Sequence, residues 1–293
     1  MEEFEFTQDR YNEALSKYNV SIDKKGVEKG VEKAKADAEK LTDKATVGSI
    51  ISLIDLTTLK PNDNEESVLQ LVEKVNHVDD EHPDIPSVAS ICVYPNYAAV
   101  VSESLEADSV KTCCVAGGFP SSQTFTEVKI AEVSLALHDG AEEIDIVQNT
   151  GKFLNGDYEY ICSETEEIKD ICQDKTLKVI IECGALQTLE NVKKASILAM
   201  YSGADFIKTS TGKEVAGADP CSFYVMCKAI KEYHEETGRK IGVKAAGGIS
   251  TKEDALLYYC IVKNVLGEEW LNSNLFRIGA SRLFDKLLAE IIS

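Results

Sequence analysis

From residue 49 to the end of the chain, short apolar runs rich in β-branched residues alternate with segments of helical periodicity. The runs are apolar on both faces, which is typical of parallel strands that helices cover. We therefore predict repeated strand–helix units. The predicted strands are 49–57, 88–94, 110–116, 142–148, 177–183, 204–210, 241–247 and 275–281.

Helical patterns lie between these runs, most clearly at 65–78, 124–140, 188–203 and 281–292. Eight such units match a closed (β/α)8 barrel in number and length. An open doubly wound sheet is the alternative, but it requires a glycine-rich turn after its first strand, and LIDLTTLKP offers none. We therefore predict an α/β fold, a single (β/α)8 TIM barrel that forms a catalytic domain over residues 46–293.

Residues 1–45 have a different pattern. Val27, Val31, Ala34, Ala38 and Leu41 recur at helical spacing among Lys and Glu, which predicts an amphipathic helix. The segment carries no candidate chemistry. We expect an N-terminal helical extension that packs on the outside of the barrel or on a neighbouring subunit.

The composition limits the possible partners and locations. The 293 residues include 31 Lys and Arg against 50 Asp and Glu, a formal charge of −19. This charge disfavours nucleic acid and anionic membranes. Nine cysteines without a CxxC motif indicate reduced thiols. The sequence shows no long apolar run and no N-terminal targeting pattern, so we expect a cytoplasmic protein.

Two lysines occupy equivalent positions on neighbouring predicted strands. Lys208 ends the run ADFIK, and Lys244 lies within IGVKAAG. Like charges a few ångströms apart depress each other's pKa, and a desolvated lysine beside another cation becomes a neutral amine that attacks carbonyls. The pair predicts a nucleophilic lysine, whereas an outward-pointing surface lysine is the structural alternative for each.

Two aspartates interrupt other strands. Strand parity places Asp145, in EEIDIV, on the same face as Val147, and an inward carboxylate can move protons or pair with a lysine. Asp55, in LIDLTTLKP, can bind substrate, bridge to a lysine, or cap the following turn.

The loops after the last two strands predict a phosphate site. Glycines let backbone N–H groups approach an anion, and a helix N-terminus favours its charge. Barrel enzymes commonly bind phosphate in these loops. The candidate groups are Gly247, Gly248, Gly279 and Ser281, with Arg282 or Lys213 as a cation. Tight turns that need glycine are the alternative.

We expect no metal, because His77, His82, His138 and His234 fall in predicted helices or loops without ligand spacing. Cys92, at the end of the second strand, is a candidate pocket residue. The other cysteines are predicted to be buried for structural reasons.

From about Thr46 to Ile292 the chain resembles the deoxyribose-phosphate aldolases, which are class I aldolases. The matching segments are IDLTTL, ICVYP, GGFP, AEEIDIV, KVIIECG, GADFIKTSTGK, GVKAAGGI and FRIGASRL, in order and on the expected strands. GADFIKTSTGK and GVKAAGG are the specific ones.

The resemblance implies reversible cleavage of 2-deoxy-D-ribose 5-phosphate to acetaldehyde and D-glyceraldehyde 3-phosphate, without a cofactor. It implies that Lys208 forms the Schiff base, that Lys244 lowers the pKa of Lys208, and that Asp145 relays protons. Pocket positions are Asp55, Thr57, Cys92, Thr211 and Lys213, and phosphate positions are Gly212, Gly247, Gly248, Gly279, Ser281 and Arg282. The implied partners are a small sugar phosphate and aldehydes, in a homo-oligomer (dimer or tetramer).

Two departures qualify the resemblance. The chain ends in LLAEIIS without a C-terminal tyrosine, so we expect slower enolisation or proton exchange served by water, and the N-terminal extension exceeds the compact form. The alternatives are another Schiff-base sugar-phosphate aldolase, a transaldolase, or a non-catalytic barrel that binds a sugar phosphate.

Overall fold

A computed structural model describes residues 9–41, 43–213 and 217–292. Eight parallel strands close into a barrel in chain order, and the last strand pairs with the first. The predicted (β/α)8 architecture is confirmed. The strands are β1 (Ile54–Thr57), β2 (Ser90–Val93), β3 (Lys111–Ala116), β4 (Glu143–Val147), β5 (Thr176–Ile180), β6 (Phe206–Lys208), β7 (Gly242–Ala246) and β8 (Phe276–Ala280).

Three helices precede the barrel, α1 (Asp9–Ser16), α2 (Lys24–Ala38) and α3 (Lys44–Ile51). The helices between and after the strands are α4 (Glu65–Glu81), α5 (Ala98–Ser104), α6 (Thr126–His138), α7 (Thr150–Leu154), α8 (Tyr158–Cys172), α9 (Leu189–Tyr201), α10 (Pro220–Thr237), α11 (Lys252–Val265) and α12 (Leu283–Ile292). None of the helices in the described ranges is long and apolar enough to cross a bilayer.

Side-chain caps fix where several helices begin. The Asn64 side chain accepts the Ser67 N–H at 3.0 Å, so α4 starts at Glu65. Asp219 accepts the Ser222 N–H at 2.7 Å. Pro220 follows this cap, and its fixed φ suits the first position of α10. These caps end the loops at the carboxyl ends of the strands and hold those loops in place.

The first predicted strand was too long. Residues 49–51 belong to α3, and β1 begins only at Ile54. Asp43 accepts the Thr46 N–H at 2.8 Å and so starts the helix. Val47, Ile50 and Ile51 bury one helical face. An apolar run this short is compatible with a strand or a helix, and here the Asp43 cap favours the helix.

The N-terminal extension packs against its own barrel. Helix α2 contacts α10 and α11 and buries Val27, Ala34 and Ala38 in the main core. Gly30 allows this approach, because a Cβ there would overlap the ring of Tyr224. Helix α3 spans the predicted boundary between residues 45 and 46.

Charge and apolar packing occupy opposite faces of the sheet. Alternate strand residues such as Ile144, Ile146 and Val243 point outward into the core shared with the helices. The intervening residues point into the barrel, where a small apolar cluster formed by Leu59, Cys92, Cys113 and Val115 accompanies buried charged side chains. The functional chemistry of the chain therefore lies inside the barrel.

Candidate active site

Lys208 and Lys244 lie side by side inside the barrel. They are register partners on β6 and β7, and each Nζ lies 2.8 Å from the same oxygen, Oδ2 of Asp145. The two nitrogens are therefore no further apart than twice that distance. Their side chains are only 4% and 1% exposed. The expected juxtaposition of two buried amines is present.

Asp145 lies between three lysines. Besides its contacts to Lys208 and Lys244, its Oδ1 accepts a hydrogen bond from Lys178 at 3.0 Å. Burial alone opposes ionisation of this carboxyl, but the positive charges of the three lysines hold the pKa of Asp145 well below its usual range. The side chain is a carboxylate with amines on both oxygens.

Lys244 has two carboxylate partners. Its Nζ lies 2.5 Å from Oδ2 of Asp55 in addition to the contact with Asp145. Burial favours loss of its proton, but Asp145 and Asp55 together raise the pKa of Lys244 above its ordinary value. Lys244 therefore remains a cation next to Lys208.

Sequence reasoning missed three inward-facing charged residues, Lys178, Glu143 and Arg277. Lys178 is fully buried and pairs in register with Asp145, while Glu143 lies two residues before Asp145 on β4 and so faces the same way. Arg277, on β8, binds Asp55 and Glu143. The available signal was a charge near the start of a predicted strand, at 143, 178 and 277.

A cavity of about 270 Å³ opens at the carboxyl ends of the strands, and Lys208 is the catalytic candidate that lines it. The ends of the strands and the loops that follow them bring nine other candidates to its wall: Thr57, Thr211, Gly212, Lys213, Gly247, Gly248, Gly279, Ser281 and Arg282. The remaining candidates Lys244, Asp145, Asp55 and Cys92 are fully buried and do not line it. One buried amine thus reaches the cavity, and its charged neighbours support it from within the barrel.

The glycines after β6 and β7 have backbone conformations that other residues rarely adopt. Gly212, Gly247 and Gly248 have φ values of 73°, 96° and 83°. Gly247 also packs against Gly217, and its carbonyl accepts the Ala218 N–H at 2.9 Å. These turns need glycine for steric reasons whether or not they bind phosphate, so the alternative of tight turns explains part of the glycine pattern.

Cations surround the cavity mouth. Lys60, Lys213 and Arg282 line it, and the Lys213 ammonium donates to the Leu59 carbonyl across the opening. Helix α12 begins at Leu283, directly after Ser281 and Arg282. These donors provide a local positive surface on an acidic protein.

A further buried carboxylate, missed in the sequence, orients the loop after β6. Glu182 adopts a left-handed backbone conformation and accepts from both the hydroxyl and the N–H of Thr211, at 2.6 and 3.1 Å. Its position near the end of the predicted fifth strand, 177–183, gave no sign of this partner. Glu182 fixes Thr211 at the cavity wall.

Two thiols lie beside the charged residues. Cys92 and Cys113 are register partners, and Cys113 contacts Asp145 and Lys178. A hydrogen bond from Cys113, opposed by burial and aided by the lysines, lowers the pKa of Cys92. Burial raises the pKa of Cys113 well above its ordinary value.

Ligand-type atoms do come together here, although not through histidine. Cys92, Cys113 and Asp145 form one group within 4.8 Å, and Asp55, Cys113 and Glu143 form another. All three carboxylates already face lysine or arginine nitrogens. A metal cation bound there would meet these positive charges at close range.

An eight-stranded parallel barrel with a buried amine at its carboxyl end is the architecture of a Schiff-base barrel enzyme. The model of the DeoC/LacD family of aldolases matches residues 49–259, and the chain belongs to this family. It is an aldolase, a carbon–carbon lyase.

Relatives and solved structures agree with this assignment. The chain is 43% identical over 272 residues to a putative deoxyribose-phosphate aldolase of Caenorhabditis elegans, covering 91% of this chain and 88% of the relative. It is 39% identical over 251 residues to human deoxyribose-phosphate aldolase, covering 82% and 79%. The tetrameric deoxyribose phosphate aldolase from Aeropyrum pernix is 27% identical with a TM-score of 0.68, covering 90% of this chain and 98% of that one.

Proposed function

We propose that this aldolase reversibly cleaves 2-deoxy-D-ribose 5-phosphate to acetaldehyde and D-glyceraldehyde 3-phosphate through a Schiff base on Lys208. The observation that carries the proposal is the position of Lys208, which lines the cavity while its amine binds Asp145, the carboxylate that Lys244 also contacts. The deoxyribose-phosphate aldolase relatives supply the substrate class.

The neutral amine of Lys208 attacks C1 of the open-chain sugar and gives a carbinolamine, which loses water to form a protonated imine. The C3 hydroxyl then gives its proton to the relay that Asp145 serves, and the C2–C3 bond breaks. The bonding electrons enter the iminium as an enamine, and glyceraldehyde 3-phosphate leaves. Protonation of the enamine at C2 and hydrolysis of the imine release acetaldehyde and restore the amine.

Asp145 is positioned for the proton transfers at nitrogen. Its Oδ2 lies 2.8 Å from Lys208 Nζ. That oxygen is therefore within hydrogen-bond reach of the amine and of the carbinolamine formed there. Lys244 holds the same oxygen as a permanent donor and disfavours a second positive charge beside it. We assign Asp145 the proton relay and Lys244 the electrostatic role.

The phosphate fits the mouth of the cavity. Backbone N–H groups near Gly247, Gly248 and Gly279, together with the start of α12, provide donors, and no carboxylate is among the lining residues within the described ranges 43–213 and 217–292. Arg282 and Lys213 add charge. This local donor set counters the overall charge of −19, which would otherwise repel the substrate.

Turnover assays test the proposal against its enzymatic alternatives. We expect the wild type to cleave 2-deoxyribose 5-phosphate and to leave fructose and sedoheptulose phosphates largely unchanged. Lys208→Leu is expected to abolish cleavage, whereas Lys231→Leu, at an exposed position on α10, retains it. Preferred cleavage of a ketose phosphate would assign a different aldolase or a transaldolase.

We also propose a cytoplasmic homo-oligomer, a dimer or a tetramer. The nine cysteines all lie in the described residues and are free thiols, which suits a reducing compartment. Phe125, Val128 and Leu135 on and before α6 are 76%, 52% and 65% exposed. A second subunit would cover such an apolar strip. Light scattering after size exclusion measures the subunit number, and a monomer would contradict this part.

A further inference from the structure

The buried charges beneath the cavity form a closed ring in which positive and negative groups alternate. Arg277 contacts Asp55 at 2.5 Å, Asp55 contacts Lys244 at 2.5 Å, and Lys244 contacts Asp145 at 2.8 Å. Asp145 continues to Lys178 at 3.0 Å, Lys178 to Glu143 at 2.6 Å, and Glu143 returns to Arg277 at 2.7 Å. We call these six residues the ion-pair ring.

The ion-pair ring is neutral by itself, because its three cations balance its three carboxylates. Lys208 is attached to it only through Asp145 and adds a fourth cation when it is protonated. All six ring side chains are at most 5% exposed. Water therefore screens this surplus charge weakly. Loss of one proton from Lys208 restores neutrality to the whole buried cluster.

On this basis we propose that Arg277 and Glu143, on the side of the ring away from Lys208, are positioning residues that set the pH at which Lys208 becomes nucleophilic. Neither lines the cavity. Both act through the ring, since Arg277 orients Asp55 toward Lys244 and Glu143 fixes Lys178 against Asp145. The proposal rests on the function assigned to Lys208 and adds a mechanism for tuning it.

Every strand besides β6 contributes a titratable or charged group that faces Lys208 or the ring. These groups are Asp55, Cys92, Cys113, Glu143, Asp145, Lys178, Lys244 and Arg277 inside the barrel, with Glu182 near Thr211 and Lys60, Lys213 and Arg282 at the cavity mouth. Cys92 is another group whose loss of a proton would relieve the surplus charge. Each variant of Arg277 or Glu143 described below is therefore made both in the wild type and in the Cys92→Ala variant, in which this thiol is absent.

The pH dependence of kcat/KM distinguishes charge tuning from structural support. Arg277→Met leaves the ring one charge negative, which stabilises the ammonium form of Lys208. The acid limb of the profile, its low-pH side where kcat/KM rises with pH, should therefore move up by about one pH unit. Glu143→Gln leaves the ring one charge positive, so the limb should move down by a similar amount. At a fixed pH on that limb, one unit corresponds to roughly a tenfold change in kcat/KM.

The double variant Glu143→Gln/Arg277→Met is the decisive control, because it removes one charge of each sign. We expect its acid limb to return to the wild-type position even if its kcat is reduced. A purely structural role would lower activity without opposite shifts or their cancellation, and that result would overturn the proposal. An unmoved limb in both single variants would do the same.

Folding of the variants is checked by circular dichroism, since a broken buried pair is costly. If Arg277→Met fails to fold, Arg277→Lys keeps the charge and should keep the wild-type limb, and Glu143→Gln together with the double variant still decides. Failure of the proposed function is a separate outcome. In that case the wild type itself does not cleave deoxyribose 5-phosphate, whereas failure of this inference leaves an active wild type with unshifted variants.

Discussion

Lys208 and Lys244 are partners in the register of β6 and β7, and their ammonium nitrogens share one oxygen of Asp145. The shared oxygen keeps both side chains inside the barrel, and Asp55 keeps Lys244 charged. Of the two, only Lys208 reaches the cavity. This division gives one lysine the contact with substrate and the other a fixed electrostatic role.

Replacing Lys244 should make Lys208 harder to deprotonate. Lys244→Met removes a cation and leaves Asp145 and Asp55 to stabilise the Lys208 ammonium, so we expect the acid limb of kcat/KM to rise by about one to two pH units. Rate–pH profiles of this variant and of the exposed control Lys231→Met measure the shift. An unchanged limb would show that Lys244 serves another purpose.

Neutralising Asp145 should cost both activity and stability. Asp145→Asn keeps the shape but leaves three lysines without their shared carboxylate, so we expect about 3–5 kcal/mol less free energy of unfolding. Loss of the proton relay should reduce kcat by about a hundredfold or more. Denaturant unfolding and steady-state rates check the two effects, and wild-type kcat in this variant would remove Asp145 from the relay.

The depressed pKa of Asp145 also predicts how stability changes with pH. The ordinary pKa of an aspartate in an unfolded chain is about 3.9, so the contribution of Asp145 is complete above that value and is lost as pH falls toward the lower folded pKa. Below about pH 4 the wild type should therefore lose stability more steeply than Asp145→Asn. Urea unfolding at several pH values gives the slopes, and equal slopes would contradict the shift.

The phosphate site can be tested with two substrates. Arg282→Leu should raise KM for 2-deoxyribose 5-phosphate by roughly tenfold or more, because a hydrogen bond to a charged group contributes about 1.5–3 kcal/mol. The KM for 2-deoxyribose, which lacks the phosphate, should stay the same because this sugar offers Arg282 no anion to bind. Equal losses for both sugars would place Arg282 outside the phosphate site.

The docking of α2 depends on one close contact that is remote from the cavity. Gly30→Leu would force a side chain into the ring of Tyr224. Overpacking of this kind costs about 1–3 kcal/mol. Thermal unfolding should show the loss, with kcat unchanged. Lys33→Leu, at an exposed position on the same helix, is the matched control, and equal stability of the two variants would argue against tight docking.

The fold and the cavity wall were largely predictable from sequence because both follow from local patterns. Eight apolar runs with helices between them predict a barrel, and glycines after strands place the loop of Gly247 and Gly248 at its mouth, whereas Gly212 came from the family resemblance. Residues 49–51 were assigned to the wrong element because a short apolar run has no distinctive period, and the Asp43 cap that starts α3 was not recognised in the sequence.

The ion-pair ring was not predictable in the same way. Asp55, Asp145 and Lys244 were identified individually, but closing the ring requires Lys178, Glu143 and Arg277, which lie on β5, β4 and β8. Lys178 and Arg277 each interrupt an apolar run, Glu143 lies beside Glu142 and Asp145, and only barrel closure brings the ring charges together. Partner identity depends on register between strands, which a single sequence does not state.

Covalent trapping tests the central claim most directly. Acetaldehyde and borohydride are added to the wild type at neutral pH, and the reduced adduct is located by peptide mapping, with Lys208→Leu as the matched control. We predict one adduct, on Lys208, that is lost in the variant. Labelling of another residue, or no adduct at all, would contradict the assignment of Lys208 and would favour a barrel that binds sugar phosphate without catalysis.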